Sequence, residues 1–307
     1  MYKDSRININ FRTGPPSRRN VRVSDLMHRD SLIPISAAIA AHDRSAALRA
    51  IASALDGEIG KHWNRDLPKL AAFIRDGVPR FTVFARDGNG KLPFLAWSSL
   101  PGVGFCPGAG ECLSFCYSFK AWRYPAAFSR QAQNAWLLDN ASGRREILAA
   151  LDQFKVPGPL DFRLYVDGDF TSVDHVAFWF KALRERPWLA AYGYSKSFKQ
   201  LLAYSGEYPS NYLLNLSSGH KHTAETVRAI KRLPIARGEF IAVPIGRKVQ
   251  TSDHGTRSHN IELRAAFARI DKRKAFTCPG KCGICTPKGH ACGSYRFANV
   301  PVIIATH

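Results

Sequence analysis

The sequence has 307 residues, of which 45% are hydrophobic and 22% are charged, a composition that indicates a globular protein and excludes a disordered one. Its 44 lysines and arginines against 24 aspartates and glutamates give a net charge of +20, which favours a polyanionic partner, and nucleic acid is the predicted one. No apolar run approaches the length of a membrane span and the N-terminus has no apolar signal segment, so we expect a cytoplasmic protein without membrane contact.

Behind a basic arm, the first part of the chain is predicted to be helical. Residues 1–30 are polar and rich in arginine and contain the turn-forming run GPPS, so we expect a flexible arm. The run SAAIAAHDRSAALRAIASALDG has the apolar spacing of a helix and a glycine stop. KHWNRDLPKLAAFIRDG predicts a shorter helix that starts or breaks at Pro68. We therefore expect a helical region over residues 31–78 and a core with both cysteine clusters over residues 79–307.

Strands and helices alternate through this core. RFTVFARDGNGKLPFLAW predicts two strands around a turn, and two helical runs follow, AAFSRQAQNAWLLDN and GRREILAALDQF. Four strands are then predicted, each followed by a helix, before a last strand: LDFRLYV, WLAAYGYS, NYLLNLS, EFIAVPI and VPVIIAT. Strands that alternate with helices indicate parallel βαβ units. The predicted fold class is therefore α/β, with a partial or full (β/α) barrel-like core rather than a small doubly wound sheet.

All seven cysteines fall in two clusters, whereas free core cysteines would be scattered. The C-terminal cluster has the spacing Cys-x3-Cys-x2-Cys-x6-Cys in a loop rich in glycine and proline. Four thiolates complete a tetrahedral zinc site, and they also hold a [4Fe–4S] cluster, so metal binding of one kind or the other is predicted. Disulfides are not expected in the reducing compartment that we predict. The predicted metal ligands are Cys278, Cys282, Cys285 and Cys292.

The first cluster offers three thiolates, from Cys106, Cys112 and Cys116. Three thiolates hold a [4Fe–4S] cluster with one iron open to a substrate or to S-adenosylmethionine, so these cysteines form the predicted cofactor site. In the alternative arrangement, a cysteine of the C-terminal cluster completes this one, and the two clusters form a single site. Zinc is the alternative metal in both arrangements.

Polar residues follow several predicted strands, at the end where (β/α) barrels have their active sites. VDGDF brings two carboxylates there, which suit Mg²⁺ binding, general-base catalysis or the binding of a cationic group. The alternative is an Asp-Gly turn whose carboxylates cap the next helix. The predicted catalytic residues are Asp167, Asp169, Lys196 and His220. Others that share this position are Ser195, Ser217, Ser218 and Arg247. The isolated histidines expected to be solvated are His222, His254 and His259.

The positive charge is concentrated near the N-terminus and in the segment IGRKVQTSDHGTRSHNIELRAAFARIDKRK. Basic and aromatic residues also interleave from Lys120 to Arg130, a mixture that suits stacking on bases and pairing with phosphates. In the alternative, Trp122, Tyr124 and Phe128 belong to a helix with one buried face. The predicted nucleic-acid-binding residues are Arg18, Arg19, Lys120, Arg123, Arg247, Lys248, Lys272, Arg273 and Lys274.

Four motifs follow one another from Cys106 to His307, over roughly two-thirds of the chain: FCPGAGECLSFCYSF, FRLYVDGDF, CPGKCGIC and the closing IIATH. In these motifs the sequence resembles the gene product eighty-eight domain family of phages and mobile elements. The resemblance implies a cysteine-bound metal or iron–sulfur centre and a mobile-element origin, and it brings no established activity. A looser similarity extends to radical S-adenosylmethionine barrels. The chain departs from them because its Cys-x3-Cys-x2-Cys run comes last and no Gly-Gly-Glu stretch follows the first strand.

Three functions remain open from the sequence. The first is an iron–sulfur protein that acts on nucleic acid, with a modifying enzyme as its most specific form. The second is a non-enzymatic nucleic-acid-binding or regulatory protein of a phage or plasmid, in which zinc is structural. The third is a metal-dependent nuclease in which the two aspartates bind Mg²⁺.

Overall fold

The computed structural model describes residues 23–57, 59–86, 93–102, 104–114, 116–247, 249–283, 285–286 and 289–306. The predicted arm of residues 1–30 lies outside the described residues as far as residue 22. From Val23 onward the chain is helical, so the last residues assigned to the arm belong to a helix instead. In the described part of the chain, no helix is both long enough and apolar enough to cross a membrane.

The described α-helices divide into an N-terminal set, a pair before the second strand, and helices between strands. They are α1 (Val23–Ala40), α2 (Arg44–Asp56), α3 (Gly60–Trp63), α4 (Asp66–Asp76), α5 (Pro125–Leu138), α6 (Ala141–Asp152), α7 (Val173–Arg184), α8 (Phe198–Leu202), α9 (Ala224–Ile230) and α10 (Arg257–Ile270). Pro68 is the third residue of α4, which agrees with the predicted helix start near this proline.

Seven strands of the described residues form one sheet in which every neighbouring pair is parallel. The order is β1-β2-β3-β4-β5-β7-β6, and the sheet curls into a half-barrel. The predicted α/β class with a partial barrel is therefore confirmed. The strands are β1 (Leu95–Ala96), β2 (Leu160–Leu164), β3 (Leu189–Ser195), β4 (Tyr212–Ser217), β5 (Ala236–Val243), β6 (Phe276–Thr277) and β7 (Val302–Ala305).

The sheet is covered on both faces, as is usual for a parallel sheet. Neighbouring residues of a strand point to opposite faces. Phe162 and Leu164 of β2 belong to the main hydrophobic cluster, which includes the helices. Tyr192 of β3 and Leu213 of β4 belong to a second cluster that contains Cys292. The second face is thus covered by the C-terminal cysteine segment, residues 278–297.

The N-terminal helical region shares one core with the sheet. Leu32 of α1 and Phe73 of α4 are fully buried in the same hydrophobic cluster as Phe162. The ring of Trp63, at the end of α3, packs edge to face at 5.6 Å on the ring of Phe128 in α5. The region predicted over residues 31–78 is therefore helical, and its apolar side is buried with the core rather than in a cluster of its own.

One predicted helix is two helices in the structure. SAAIAAHDRSAALRAIASALDG contains the end of α1 and all of α2, and the chain breaks at His42, whose φ of 53° is left-handed. Asp43 then caps α2, because its side chain accepts a hydrogen bond of 2.8 Å from the backbone N–H of Ala46. The apolar spacing continues across the break, so periodicity alone predicts a single helix.

The predicted hairpin RFTVFARDGNGKLPFLAW is only partly formed. Its second half contains β1, and its first half pairs through one antiparallel bridge between Ala85 and Ala96. The predicted turn lies within residues 87–92, outside the described residues. Strand β6 is absent from the prediction because two residues show no alternation, and only their pairing with β7 makes them a strand.

Asp139, at the C-terminal end of α5, joins three parts of the helical layer. The Nε2 atoms of His42 and His175 each lie 2.6 Å from one of its oxygens. Burial acts to raise the pKa of Asp139, but the hydrogen bonds and charges of the two histidines outweigh burial and leave this pKa lowered. Such a carboxylate stabilises the fold above its unfolded pKa, and the contribution is lost as the pH falls through the folded pKa.

The substitution Asp139→Asn should lower the free energy of unfolding at pH 7 by about 1–3 kcal/mol, because charged hydrogen bonds are lost. Below about pH 4 the difference from the wild type should shrink, since the wild-type carboxylate becomes protonated. Urea unfolding at pH 7 and pH 3 measures both effects. Asp56→Asn, at an exposed carboxylate, is the control and should change neither. An equal loss at both pH values would contradict a role for the Asp139 charge.

Candidate functional site

The first cysteine group lies on the carboxyl edge of the sheet, meaning the residues that directly follow β2, β3 and β4. The loop that carries the group, residues 106–116, is called the edge loop below. Its backbone pairs with the residues after β4, because the N–H groups of Gly110 and Cys112 donate to the carbonyl oxygen of Gly219 at 3.0 and 3.1 Å. These backbone hydrogen bonds place the edge loop across the end of β4.

Two glycines allow the edge loop to approach the sheet so closely. A Cβ atom on Gly108 would lie 1.6 Å from the backbone oxygen of Lys196, an overlap that no side-chain adjustment relieves. Gly219 has a φ of +73°, and a Cβ atom there would lie 2.9 Å from the Cβ atom of Cys112. The position of the loop therefore depends on glycine at both contacts.

The thiols of the edge loop lie close enough to influence one another. Burial raises the pKa of Cys106, and the charges of Asp169 and Cys116 raise it further. Burial also raises the pKa of Cys116 to about 11, and Cys112 adds to this effect. The charge of Lys196 acts in the opposite direction on both thiols. The three-cysteine group thus lies beside Asp169 and Lys196, two predicted catalytic residues, and burial keeps the thiols of Cys106 and Cys116 protonated at neutral pH.

Asp167 and Asp169 both reach the carboxyl edge, but each has its own set of neutral donors. Asp169 accepts hydrogen bonds from the Ser195 hydroxyl at 2.6 Å and from the backbone N–H of Lys196 at 2.7 Å. Asp167 accepts one from the side-chain amide of Gln131 at 2.9 Å. Burial raises the pKa of both carboxyl groups, and these hydrogen bonds oppose the increase.

The alternative in which these carboxylates cap the next helix is wrong. Ser172 caps α7, since its hydroxyl accepts a hydrogen bond of 3.1 Å from the backbone N–H of His175. Asp169 instead ties the residues after β2 to those after β3, and protein donors engage both of its oxygens. The pair is therefore not arranged as joint ligands of one Mg²⁺ ion.

Lys196 and His220 lie at the same edge, as predicted. The Nζ atom of Lys196 donates to the Ser217 hydroxyl at 2.8 Å. Burial lowers the pKa of His220, and the charges of His222 and Lys196 lower it further, which favours the neutral imidazole. His222 is half-buried rather than solvated: its Nε2 atom donates to the Lys196 carbonyl oxygen at 2.6 Å and its ring stacks on Phe198. The edge therefore has a second histidine that the sequence did not indicate.

The four-cysteine group lies on the second face of the sheet. The backbone N–H of Cys278 donates to the carbonyl oxygen of Ile303 in β7 at 2.8 Å. The side-chain amide of Asn215 in β4 donates to the carbonyl oxygen of Cys292 at 3.0 Å. Two separate β-strands thus hold the two ends of this cysteine group against the sheet.

The four thiols act on one another as the edge thiols do. Burial raises the pKa of Cys278 to about 12, with further contributions from Cys292, Cys282 and Cys285. Burial raises the pKa of Cys292 to about 11, and two thiols of the same group add to the increase. The cysteines that affect the pKa of an edge thiol are themselves edge cysteines, and those that affect a thiol of the four-cysteine group belong to that group. The edge group contacts residues after β4, whereas the other group contacts β7 and Asn215 within β4, and this separation favours two sites.

All seven cysteines are free of disulfides. Among the described residues, no three His, Cys, Asp or Glu side chains are arranged as a metal-binding group, and residues 284, 287 and 288 of the C-terminal cysteine segment lie outside them. The donor chemistry suits zinc or an iron–sulfur cluster, while the ligand geometry of such a centre is not formed in the described side chains.

Several residues around the four-cysteine group were missed by sequence reasoning. Arg163 of β2 donates to the Tyr117 hydroxyl at 3.4 Å, and its guanidinium lies 4.8 Å from the ring centre of Tyr194. Arg237 of β5 is fully buried and donates to the carbonyl oxygen of Phe297 at 3.0 Å. The alternation of side chains along β2 predicts the position of Arg163. It stands between Phe162 and Leu164, which face the helices, and so it points to the other face of the sheet.

The predicted nucleic-acid-binding residues are partly engaged by acidic neighbours. Arg247 forms ion pairs of 2.8 Å with Asp253 and Glu262. Arg273 forms ion pairs of 2.5 Å with Asp271 and Glu239. These carboxylates neutralise two of the predicted phosphate-binding charges.

The other predicted residues of this set differ in position. Lys272 donates to the carbonyl oxygen of Ala268 at 2.9 Å, and Lys274 is exposed. Arg18, Arg19 and Lys248 lie outside the described residues. In the same part of the chain as Arg247, His259 is buried and its ring packs at 5.2 Å on His254, so the expectation that His259 is solvated is wrong.

In the basic and aromatic stretch after the edge loop, some aromatic side chains are buried in the core and others are exposed on the surface. Trp122 and Phe128 are buried, as in the alternative of a helix with one buried face. Tyr117 and Tyr124 are exposed over 49% and 62% of their surface, which is high for aromatic side chains. Arg123 donates to the carbonyl oxygen of Lys120 at 3.2 Å, and its guanidinium lies 5.9 Å from the ring centre of Tyr124.

The substitution Gly108→Ala should displace the edge loop, because the new Cβ atom overlaps the Lys196 carbonyl. The thiols of Cys106 and Cys112 should then react faster with a thiol reagent such as maleimide. Gly57→Ala, where a Cβ atom would meet only ordinary contacts at 3.5 and 3.6 Å, is the control. Peptide mapping of the labelled cysteines measures the effect, and unchanged labelling at these two positions would argue against the docked loop.

A family model described as gene product 88 matches residues 81–301, a span that includes β1 to β6, the carboxyl edge and both cysteine groups. No curated protein and no solved structure matches the chain. The match covers well over half of the 307 residues and agrees with the resemblance carried by the cysteine and VDGDF motifs. The chain belongs to the gene product 88 family.

Proposed function

We propose that this protein binds an iron–sulfur cluster, or zinc as the alternative, through its edge-loop cysteines, and that it acts on nucleic acid at the carboxyl edge. The observation that supports the proposal is the position of the edge loop, which lies across β4 beside Asp169 and Lys196. Ligands of parallel α/β folds bind at this end of the strands. A three-thiolate cluster has one open iron, which supplies a coordination position for a substrate or for S-adenosylmethionine.

The residues around the edge loop have distinct roles in this proposal. Lys196 contributes a positive charge beside Cys106 and is oriented by Ser217. His220 is neutral at physiological pH, so it can accept a proton from a substrate. Asp169 is a positioning residue, because its hydrogen bonds fix the backbone that carries Lys196. Asp167 has the same kind of role through Gln131 of α5.

The four-cysteine group is proposed as a structural metal centre. It lies in a hydrophobic cluster against β3 and β4 rather than at the carboxyl edge. Binding of a metal to such a loop is coupled to folding, so the metal would hold the C-terminal cysteine segment on the sheet. Zinc and a [4Fe–4S] cluster both accept four thiolates, and either would serve this purpose.

Nucleic acid is the proposed partner because the net charge is +20 and exposed aromatic residues lie next to the edge loop. Tyr124 offers a face for base stacking, with Arg123 beside its ring. A second candidate, non-enzymatic nucleic-acid binding with structural zinc, is favoured by one observation: Asp167 and Asp169 are both engaged by protein donors. The same observation counts against the Mg²⁺-dependent nuclease.

Cysteine substitutions test the two proposed centres. Anaerobically purified wild-type protein should contain metal in both groups, and an iron–sulfur cluster should give a broad absorbance band at about 400 nm. Cys112→Ser should remove metal from the edge and leave the thermal unfolding midpoint nearly unchanged. Cys292→Ser should remove the other centre and lower this midpoint by several degrees, since metal binding there is coupled to folding. Wild-type protein without metal would contradict the proposal. A colourless protein that contains zinc would favour the second candidate, non-enzymatic nucleic-acid binding with structural zinc.

A substitution at Tyr124 tests the nucleic-acid contact. Tyr124→Ala should weaken binding of a single-stranded oligonucleotide by about 1–3 kcal/mol, because one stacking contact is lost. Tyr295→Ala is the matched control, since Tyr295 is also exposed but lies in the C-terminal cysteine segment. Fluorescence anisotropy at about 50 and 200 mM salt measures affinity and its salt dependence. Affinity that does not fall with salt would remove nucleic acid as the partner.

A further inference from the structure

Helix α10 is buried against the sheet on one side and exposed on the other. His259, Leu263 and Phe267 are buried at intervals of four residues, and the last two pack in a hydrophobic cluster with Ile303 of β7. Residues three or four positions apart lie on the same side of a helix. The opposite side of α10, called the basic face below, consists of five exposed residues: Arg257, Ile261, Arg264, Ala265 and Ala268.

The carboxylates near the basic face are paired with other arginines. Between residues 245 and 275 the chain has three carboxylates. Arg247 pairs with two of them, Asp253 and Glu262, and Arg273 pairs with Asp271. Within the described residues, no carboxylate forms an ion pair with a cation of the basic face. The positive charge of this face is therefore left for an external anion.

Three cations are distributed along the basic face. Arg257 is the first residue of α10, and Arg264 lies at its middle, where its Nε–H donates to the Thr277 hydroxyl, a neutral group, at 3.1 Å. The Nζ atom of Lys272 donates to the Ala268 carbonyl oxygen at 2.9 Å, so this ammonium group lies at the C-terminal end of the face. From residue 257 to residue 268 the helix axis spans about 16 Å. This length corresponds to about five base pairs of a DNA duplex.

The side chains between the cations favour a duplex over a single strand. Proteins bind single-stranded nucleic acid by stacking its bases on exposed aromatic side chains. The basic face has none, since Phe267 of α10 is buried. It offers instead the small side chains of Ala265 and Ala268 and the exposed side chain of Ile261. The major groove of B-DNA admits an α-helix and presents thymine methyl groups to such apolar contacts. A membrane-binding helix needs a continuous apolar side, which one isoleucine does not supply.

We propose that the basic face of α10 binds in the major groove of double-stranded DNA. Arg257 and Lys272, at the two ends of the face, bind phosphates and fix the position of the helix. Arg264, at its middle, reaches a base edge, where guanine presents two acceptors to a guanidinium. This inference rests on the nucleic-acid partner proposed above. It adds that the partner includes a DNA duplex, and it names the helix that binds this duplex, separate from the contact at Tyr124.

Two isoleucines of α10 provide a matched pair for the test. Ile261 lies on the basic face, whereas Ile270 is also exposed but lies nine residues further, on the other side of the helix. Substitution by glutamate changes the net charge equally at both positions. In full-length protein, Ile261→Glu should weaken binding of a short DNA duplex at least about 10-fold, because a carboxylate in the groove lies among phosphates. Ile270→Glu should weaken it about 2-fold or less, since solvent and salt screen its charge.

Substitutions of the cations test their separate roles. Fluorescence anisotropy over a range of salt concentrations gives the slope of log affinity against log salt. Arg257→Gln and Lys272→Gln should each reduce this slope by about 1, because one phosphate contact is lost. Arg228→Gln, at an exposed arginine of α9, is the control and should leave the slope unchanged. Arg264→Gln should weaken binding of a G·C duplex more than binding of an A·T duplex, since the proposed base contact is to guanine.

The outcomes separate this inference from the proposed function. Equal losses in the two glutamate variants would overturn the inference, because the charge of the whole protein would then decide the affinity. Tighter binding to duplex RNA, whose major groove is too narrow for side chains, would overturn it as well. So would binding to vesicles rich in phosphatidylserine without binding to duplex DNA. In these cases the proposed function still stands if the protein binds a single-stranded oligonucleotide and Tyr124→Ala weakens that binding. If the wild type binds no nucleic acid, both fail.

The thermal unfolding midpoint of each variant shows whether it is folded. The substituted side chains of α10 are exposed, so the midpoints should stay close to that of the wild type. Should Ile261→Glu not fold, the salt slopes of Arg257→Gln and of its control Arg228→Gln decide the result. Equal slopes in these two variants would overturn the inference.

Discussion

A parallel sheet has to be covered on both faces, and in this protein the two covers differ in kind. Helices cover one face, with Phe162 and Trp179 in a continuous hydrophobic cluster. The C-terminal cysteine segment covers the other, and its described regular structure is limited to the short 3₁₀ turns Ala291–Gly293 and Tyr295–Phe297. An irregular segment lacks the backbone hydrogen bonds that hold a helix together. The structural metal that we propose for its four cysteines would stabilise this segment, because the metal cross-links residues that regular backbone hydrogen bonds do not hold together.

Local patterns of the sequence predict the alternating strands and helices. They do not predict the helix break at His42 or the short strand β6. Buried strands such as WLAAYGYS and NYLLNLS alternate with amphipathic helices, and this alternation alone indicates a parallel sheet. The break at His42 is not visible in the spacing of apolar residues, because it depends on an Asp43 cap within one turn. Strand β6 depends on pairing with β7, a contact between parts of the chain that local patterns do not describe.

For the candidate site, the sequence predicts which residues lie at the edge of the sheet but not which groups they contact. Strand ends identify Asp167, Asp169, Lys196 and His220, because every parallel strand delivers its following residues to one edge. What these side chains do there depends on partners distant in sequence. Asp169, for example, accepts hydrogen bonds from the Ser195 hydroxyl and the Lys196 backbone N–H. Its carboxylate therefore holds two loops together and is not free to bind a metal. The buried position of Arg237 needed the structure, since the carbonyl oxygen of Phe297, to which it donates, comes from the last part of the chain.

The surroundings of the two cysteine groups differ. The four-cysteine group packs in a hydrophobic cluster with Tyr192 and Leu213 on the face of the sheet. Such surroundings suit the closed structural centre that we propose there, since a structural metal site leaves no coordination position open. The edge loop instead lies among polar groups, and the charges of Asp169 and Lys196 act in opposite directions on the Cys106 thiol. Parallel α/β proteins bind their ligands at this end of the strands, and for this reason our proposal assigns the reaction to the edge and a structural role to the face.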